Sequence, residues 1–392
     1  MLGFASYAAL LPELRDLWRL TNTEAGVIGS AFFLGYIATV SYWTARTDRT
    51  DGRRIYLAGS LIAAASGAGF GFMAEGLASA CFFQALLGVG VAGSYMPGLR
   101  LLSDRVGGSL QSRYISFYTS FFGVGTALSL ALAGILAATT GWQSAFVVSA
   151  AGPLCAGLLV FFSVKEIKTK PGPMTSFSLA TLFPVAAWRK VLADRAAAGF
   201  TLGYAVHCIE LFASRGWMVA FLAYAATVQA PGLAFPWNLA AIAAVVNLVA
   251  VPSSILGNEL ALRIGRGRWI LFAMSASGAA GIALAFSAPA HWVLVLALLV
   301  AHALLVMADS GTLTAGLVGA VPAELRGAAL GLYSLAGFAG GMLGPSLFGL
   351  ALDLAGGQAH GAAWVWAYLV IGAGGLAAPL LARTLGKAKA AP

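Results

Sequence analysis

Residues 292–320 read WVLVLALLVAHALLVMADSGTLTAGLVGA, a stretch whose one formal charge is Asp309 and whose one histidine is His302. A helix needs about 20 apolar residues to cross the hydrocarbon layer of a bilayer. This run exceeds that length. Its two ionisable side chains then lie where a charge costs about 2.5–3.5 kcal/mol on insertion scales, so each needs a reason to be there.

Outward from this stretch the pattern repeats. Similar runs fall near 24–45, 55–73, 77–102, 114–138, 144–164, 196–228, 238–262, 269–287, 327–352 and 363–382. A shorter one, GFASYAALLP, leads the chain and stops at Pro12. It has no basic n-region and no small-residue cleavage site, so it does not read as a secretory signal. It reads instead as a first span cut short, with Met1 expected to lie downstream of the true start. The expected fold is an all-α membrane protein of twelve transmembrane helices, arranged as two pseudo-symmetric six-helix bundles. The bundles are 1–164 and 196–392, joined by a cytoplasmic linker at 165–195 that contains the helix-breaking KTKPGP.

Composition agrees. Of 392 residues, 60% are hydrophobic and 9% charged, where soluble domains carry about 25% charged residues. The mean hydropathy is +0.86. A soluble enzyme and a disordered chain are both excluded, because neither class has so few charges. The net charge of +9 does not indicate nucleic acid. Nineteen Lys and Arg fall in one alternating set of connections, against Arg15 and Arg19 in the other. The positive-inside rule then puts both termini and the long loop in the cytoplasm. The partners expected are the lipid bilayer and a small-molecule substrate. Cys81, Cys155 and Cys208 lie apart in apolar runs and give neither a disulfide framework nor a metal motif.

Six spans before the linker and six after it suggest an internal repeat. At an offset of 215, Gly52-Arg53 matches Gly267-Arg268, and Tyr118, Gly125, Gly134 and Gly141 match Tyr333, Gly340, Gly349 and Gly356. The segment between the second and third spans is Thr44-Ala-Arg-Thr-Asp48-Arg49-Thr-Asp-Gly52-Arg53-Arg54. It resembles the cytoplasmic loop signature of the major facilitator superfamily, a Gly, then Asp-Arg, then Gly-Arg-Arg. Thr44 replaces the leading Gly, and one extra residue precedes Gly52. A weaker copy, Gly257 to Arg268, keeps Arg263, Arg266 and Arg268 but has no acidic residue at the Asp position.

The resemblance implies secondary transport by alternating access, with no cofactor, by a monomer in a bacterial inner membrane. It implies a cytoplasmic gate at Asp48, Arg49, Gly52, Arg53, Arg54, Arg263, Arg266 and Arg268, in which Asp48 holds nearby Arg side chains. Drug/proton antiport is poorly supported. Gln84 stands where many such antiporters have Arg, and the Gly-Pro expected in the fifth span is found in the eleventh, as Gly344-Pro345.

The candidate site residues are the ionisable and polar groups inside spans. His207 and Glu210 are three apart and share a helix face, while Arg215 is off that face. His302 and Asp309 are seven apart, on one face of a continuous helix, about 10.5 Å along the axis. Glu210 and Asp309 read as protonatable groups or as static interhelical pairs. Arg215 reads as an anion binder, a counter-charge to Glu210, or a side chain reaching for the interface. His207 and His302 read as proton relays or packing residues. Gln84 and Asn247 are candidate cavity donors or interhelical glue. Trp43, Trp142, Trp217, Trp237 and Trp292 read as interface anchors.

The function expected is proton-coupled movement of a small organic or inorganic anion. An uncoupled facilitator, a metal-ion importer of the same fold and a transport-inactive sensor stay open. A membrane enzyme does not fit, since the chain has no HExxH motif.

Overall fold

In the computed structural model, residues 1–47, 50–106, 109–166 and 184–375 are described. Every element among them is helical. No water in the bilayer core can satisfy backbone N–H and C=O groups, so a chain this apolar must close its hydrogen bonds within each helix. The helices are α1 (Ser6–Leu17), α2 (Asn22–Arg46), α3 (Gly52–Met73), α4 (Leu77–Ser103), α5 (Ser109–Thr140) and α6 (Trp142–Ser163). After the linker come α7 (Val185–Ala193), α8 (Arg195–Val228), α9 (Leu239–Ala250), α10 (Ser253–Ile264) and α11 (Arg266–Phe286). The last are α12 (Trp292–Met307), α13 (Ser310–Ala320), α14 (Arg326–Leu354) and α15 (Gly361–Gly372). Among the described residues ten segments are long and apolar enough to cross a membrane, with α9–α10 and α12–α13 each counting as one segment.

Two expected spans are each broken in the middle. The run 238–262 divides at Val251-Pro252 into α9 and α10. Proline has no N–H to continue the ladder, and Ser253 begins the new helix with its hydroxyl on the Leu304 carbonyl, 2.6 Å away. The run 292–320 divides at Ala308-Asp309 into α12 and α13. The carbonyl of Ala308, freed there, accepts from the indole N–H of Trp269 at 2.8 Å, as buried backbone in a membrane requires. Conversely, 196–228 is one unbroken helix of 34 residues, started by Asp194, whose side chain accepts from the Ala197 N–H. Trp217 is not an interface anchor. It is fully buried, and its indole N–H donates to the Pro345 carbonyl at 3.0 Å.

The contacts divide the chain into two units. One holds residues 1–18 and 31–183, and the other holds 19–30 and 184–392. Within the first, α3 packs on α4 and α6, and α1 packs on α5. Within the second, α11 packs on α12 and α15, and α8 packs on α14. These are corresponding pairs in the two runs of six spans. The correspondence reaches single atoms. In the first unit Gly35 lies against the Ala85 carbonyl, and Gly88 against that of Phe32. In the second, Gly257 lies against the Ala308 carbonyl, and Gly311 against that of Ser254. At each of these four seats an added Cβ would overlap a main-chain oxygen. The glycine-rich eleventh span packs in the same way, with Gly340 of α14 pressed on the Ala205 carbonyl of α8. Close helix approach through small residues substitutes in lipid for the hydrophobic drive that operates in water.

Candidate functional site

The second unit gathers the ionisable side chains. His207, Glu210, His302 and Asp309 are all buried. The break before α13 decides how they pair. Asp309 is not a continuation of the His302 face. It stands at the start of α13 with Nδ1 of His207 2.7 Å from its Oδ1. The contact has the length of a charge-assisted pair, although the ring N–H does not point along it, and Oδ1 has no aligned hydrogen bond. The positive end of α13 lies at the same residue and favours negative charge there.

His302 meets the other acid. Its Nδ1 lies 3.9 Å from Glu210 Oε1, too far for a hydrogen bond. The same nitrogen is 3.1 Å from the Ser277 carbonyl. A carbonyl can only accept, so Nδ1 carries the hydrogen and the neutral ring keeps its lone pair on Nε2. Glu210 Oε2 is 3.0 Å from Ser277 Oγ, which is also 3.0 Å from the Met274 carbonyl. Ser277 was not among the residues picked out from the sequence. Nothing marks it there, because it is one small residue in a Ser-Ala-Ser-Gly-Ala-Ala run.

Aromatic rings wall one side of this cluster. Tyr204 stacks on Tyr333 at 3.8 Å between centroids and on the His207 ring at 5.6 Å. Tyr333 shares a 2.9 Å hydrogen bond with Thr314, whose hydroxyl lies 3.0 Å from the Ser310 carbonyl. Tyr368 meets the His302 ring edge-on at 5.6 Å.

Arg215 is partly buried and stands apart from both acids. Its Nη2 donates to the thioether sulfur of Met307 at 3.4 Å. Among the described residues no carboxylate lies within ion-pair distance of it. The reading of Arg215 as a counter-charge to Glu210 is therefore corrected: Glu210 is held by Ser277, and Arg215 by a sulfur. Asn247 is buried and donates to its own helix at the Ala243 carbonyl, 2.8 Å, with Met218 Sδ at 3.8 Å. Gln84 is buried in the first unit, so it is not joined to the others here. Among the described residues no three His, Cys, Asp or Glu side chains converge as a metal site would need.

Of the expected gate residues, Asp48 and Arg49 lie outside the described residues. Arg53 is held by Asp51, at 2.7 Å through Nη2 and 2.9 Å through Nε. Asp51 also caps α3 by accepting from the Arg53 N–H at 3.1 Å. Burial works to raise the Asp51 carboxyl, but the hydrogen bonds and charge of Arg53 prevail and hold it below the usual carboxylate range. Arg53 reaches on to the Val164 carbonyl at 2.9 Å and Glu166 at 3.2 Å, tying the start of α3 to the end of α6. Gly52 packs on Leu101. In the second copy the whole connection between α10 and α11 is Gly265, whose φ of +96° places it where a side chain is strained. Arg263 and Arg266 flank that turn, Arg268 follows it, and Arg266 Nε is buried without a hydrogen-bond partner among the described residues.

This is the fold and internal repeat of a membrane transporter. The chain belongs to the Major Facilitator Superfamily, whose family model matches residues 1–345. Among solved structures it is similar to a bacterial homologue of the human lysosomal transporter Spinster in an inward-facing, unoccupied conformation. The TM-score is 0.77 at 16% identity, covering 100% of this chain and 96% of that one. It is also similar to a mutant of the nucleoside transporter NupG, with a TM-score of 0.71 at 14% identity, covering 99% and 98%. These likenesses are of fold.

Two relatives match over a part. A probable 4-methylmuconolactone transporter of Cupriavidus pinatubonensis is 26% identical over 164 residues, 41% of this chain and 38% of the relative. The niacin transporter NiaP of Acinetobacter baylyi is 25% identical over 141 residues, 36% of this chain and 32% of the relative. The match thus spans well under half the length of either.

Proposed function

We propose that the protein is a secondary transporter that moves a small organic anion together with protons across the inner membrane of a bacterium. Two bundles, 1–164 and 196–392, alternate access to a central site, with the linker 165–195 and both termini in the cytoplasm and the monomer as the working unit. The observation that carries this reading is Arg215, a cation within an apolar bundle whose partner is a thioether. An uncompensated guanidinium there is costly. An anionic substrate relieves that cost and fits the planar fork of the side chain. Both relatives are named for small ring compounds, and niacin is a carboxylic acid. The buried acids and histidines in the same unit include a seat for a proton. The residues proposed for the gate on the cytoplasmic side are Asp48, Arg49, Gly52, Arg53, Arg54, Arg263, Arg266 and Arg268.

Uptake of radiolabelled nicotinate and benzoate into proteoliposomes tests the reading. The expected outcome is accumulation when the lumen is alkaline, its collapse with a protonophore, and its loss in Arg215→Met. Failure to move any monocarboxylate, or equal uptake by Arg215→Met, overturns it.

A further inference from the structure

We infer that the two acid–histidine pairs do different work: Glu210 is the carboxyl that gains and loses the proton, Ser277 is the hydroxyl built to match it in either state, and His207–Asp309 is a fixed structural contact. This rests on the transport reading above only for its purpose. The assignment itself comes from hydrogen-bond logic.

Ser277 has one hydrogen and two acceptors at the same distance, 3.0 Å to Glu210 Oε2 and 3.0 Å to the Met274 carbonyl. With Glu210 ionised, the hydroxyl hydrogen turns to the carboxylate. With Glu210 protonated, the carboxyl O–H donates to Ser277 Oγ and the hydroxyl hydrogen turns to Met274. A hydroxyl can donate once and accept at its lone pairs, so both states are satisfied with the same heavy-atom positions. The contact through Glu210 Oε2 is therefore kept in both states, where losing it would cost about 1–3 kcal/mol. Only an O–H bond is made or broken, and the proton comes from and returns to water.

His302 cannot compete for that proton through its near nitrogen. Nδ1 is committed to the Ser277 carbonyl at 3.1 Å and stands 3.9 Å from Glu210 Oε1. Ser277 thus holds both neighbours in place, the acid through its side chain and the imidazole through its main chain. Glu210 Oε1 has no hydrogen-bond partner among the described residues, so the contact of Oε2 with Ser277 is the one that responds to the proton. The other groups around the cluster are Cys208 and Arg215 on α8, Tyr333 on α14, Tyr368 on α15 beside His302, and Asp309 at the α12–α13 break.

The second pair is of the opposite kind. His207 and Asp309 approach to 2.7 Å, the positive end of α13 lies at Asp309, and Tyr204 stacks on the imidazole face. Among the described residues no hydroxyl is hydrogen-bonded to Asp309 Oδ1, and Thr314 is engaged by Tyr333 and Ser310.

Infrared difference spectroscopy of the full chain in bilayers, titrated from acid to alkaline pH without ligand, tests the assignment. The expected result is a protonated-carboxyl C=O band that titrates in the wild type, is lost in Glu210→Gln and persists in Asp309→Asn. Ser277→Ala moves both the frequency and the midpoint of that band, and Ser277→Thr, which keeps the hydroxyl, restores them. A purely structural serine would lower the melting temperature and leave the band in place. Persistence of the band in Glu210→Gln, its loss in Asp309→Asn, or an unshifted band in Ser277→Ala overturns the inference. Should Asp309→Asn fail to fold, the Glu210 and Ser277 variants decide it alone. Failure of nicotinate and benzoate uptake would count against the transport reading and leave this result untouched.

Discussion

Replacing Arg215 by Met separates shape from charge at the proposed substrate seat. Methionine keeps a long flexible stem and removes the guanidinium. In the structure, one terminal nitrogen of Arg215 donates to Met307 Sδ at 3.4 Å. A guanidinium has five N–H donors in a fixed fork, so at least two remain in position to grip a carboxylate. Hydrogen bonds to charged groups contribute about 1.5–3 kcal/mol each. Taking the lower figure for each of two bonds gives about 3 kcal/mol, or roughly a hundredfold in Kd. Arg215→Lys keeps the charge and loses the fork, so the expected loss is one bond, roughly tenfold. The assay is equilibrium binding of nicotinate to purified protein by titration calorimetry, with the melting temperature recorded for each variant. Equal affinities for wild type and Arg215→Met, in protein of unchanged stability, would refute the reasoning. So would a Lys variant as weak as the Met variant, because the charge and the fork would then not be separable.

Three further outcomes follow from the packing. Gly340→Leu forces a side chain into the Ala205 carbonyl, and overpacking of about 1–3 kcal/mol or more should appear as a lower melting temperature in detergent; an unchanged one would mean α8 and α14 are not in contact there. Asp353 accepts from Asn22 and Thr23 through both main-chain and side-chain donors, at 2.6–3.1 Å, so Asp353→Ala should cost about 1–2 kcal/mol as a lost N-cap, read by thermal denaturation and contradicted by a neutral substitution. The Asp51 carboxyl is held below its ordinary value, so its contribution to stability is complete above about pH 4, the unfolded value, and is lost as pH falls through the lower folded value; Asp51→Asn should flatten the acid limb of a stability–pH curve, and an identical limb would show that Arg53 does not hold it.

The spans were readable because lipid imposes one demand on every segment that crosses it. A run such as 196–228 can be nothing but a helix, and it is one. The break at Val251-Pro252 had a visible cause in the proline. The break at Ala308-Asp309 had a weaker one, a short Asp-Ser-Gly cluster inside an apolar run long enough to be continuous. Without it, Asp309 stays on the His302 face and its partner is unnamed. Spacing along an unbroken helix puts His302 and Asp309 on one face, whereas the discontinuity turns Asp309 toward His207. Partners on separate helices depend on rotation about each axis, which one sequence does not disclose. That is why Glu210 was seen and Ser277 was not. The basic loop shows a related limit: Asp51, three residues after Asp48, has the N-cap position that aims its carboxylate at Arg53, and the motif does not single it out.

The glycine seats that repeat about 222 residues apart also fix which positions in the first half answer to the buried charges of the second. Asp309 corresponds to Leu86 and Met307 to Gln84. Duplication has kept the scaffold and let the electrical character of the two copies diverge. An electric field across the bilayer, worth about 2.3 kcal/mol per elementary charge per 100 mV, therefore finds the buried His207, Glu210, His302 and Asp309 in the C-terminal copy.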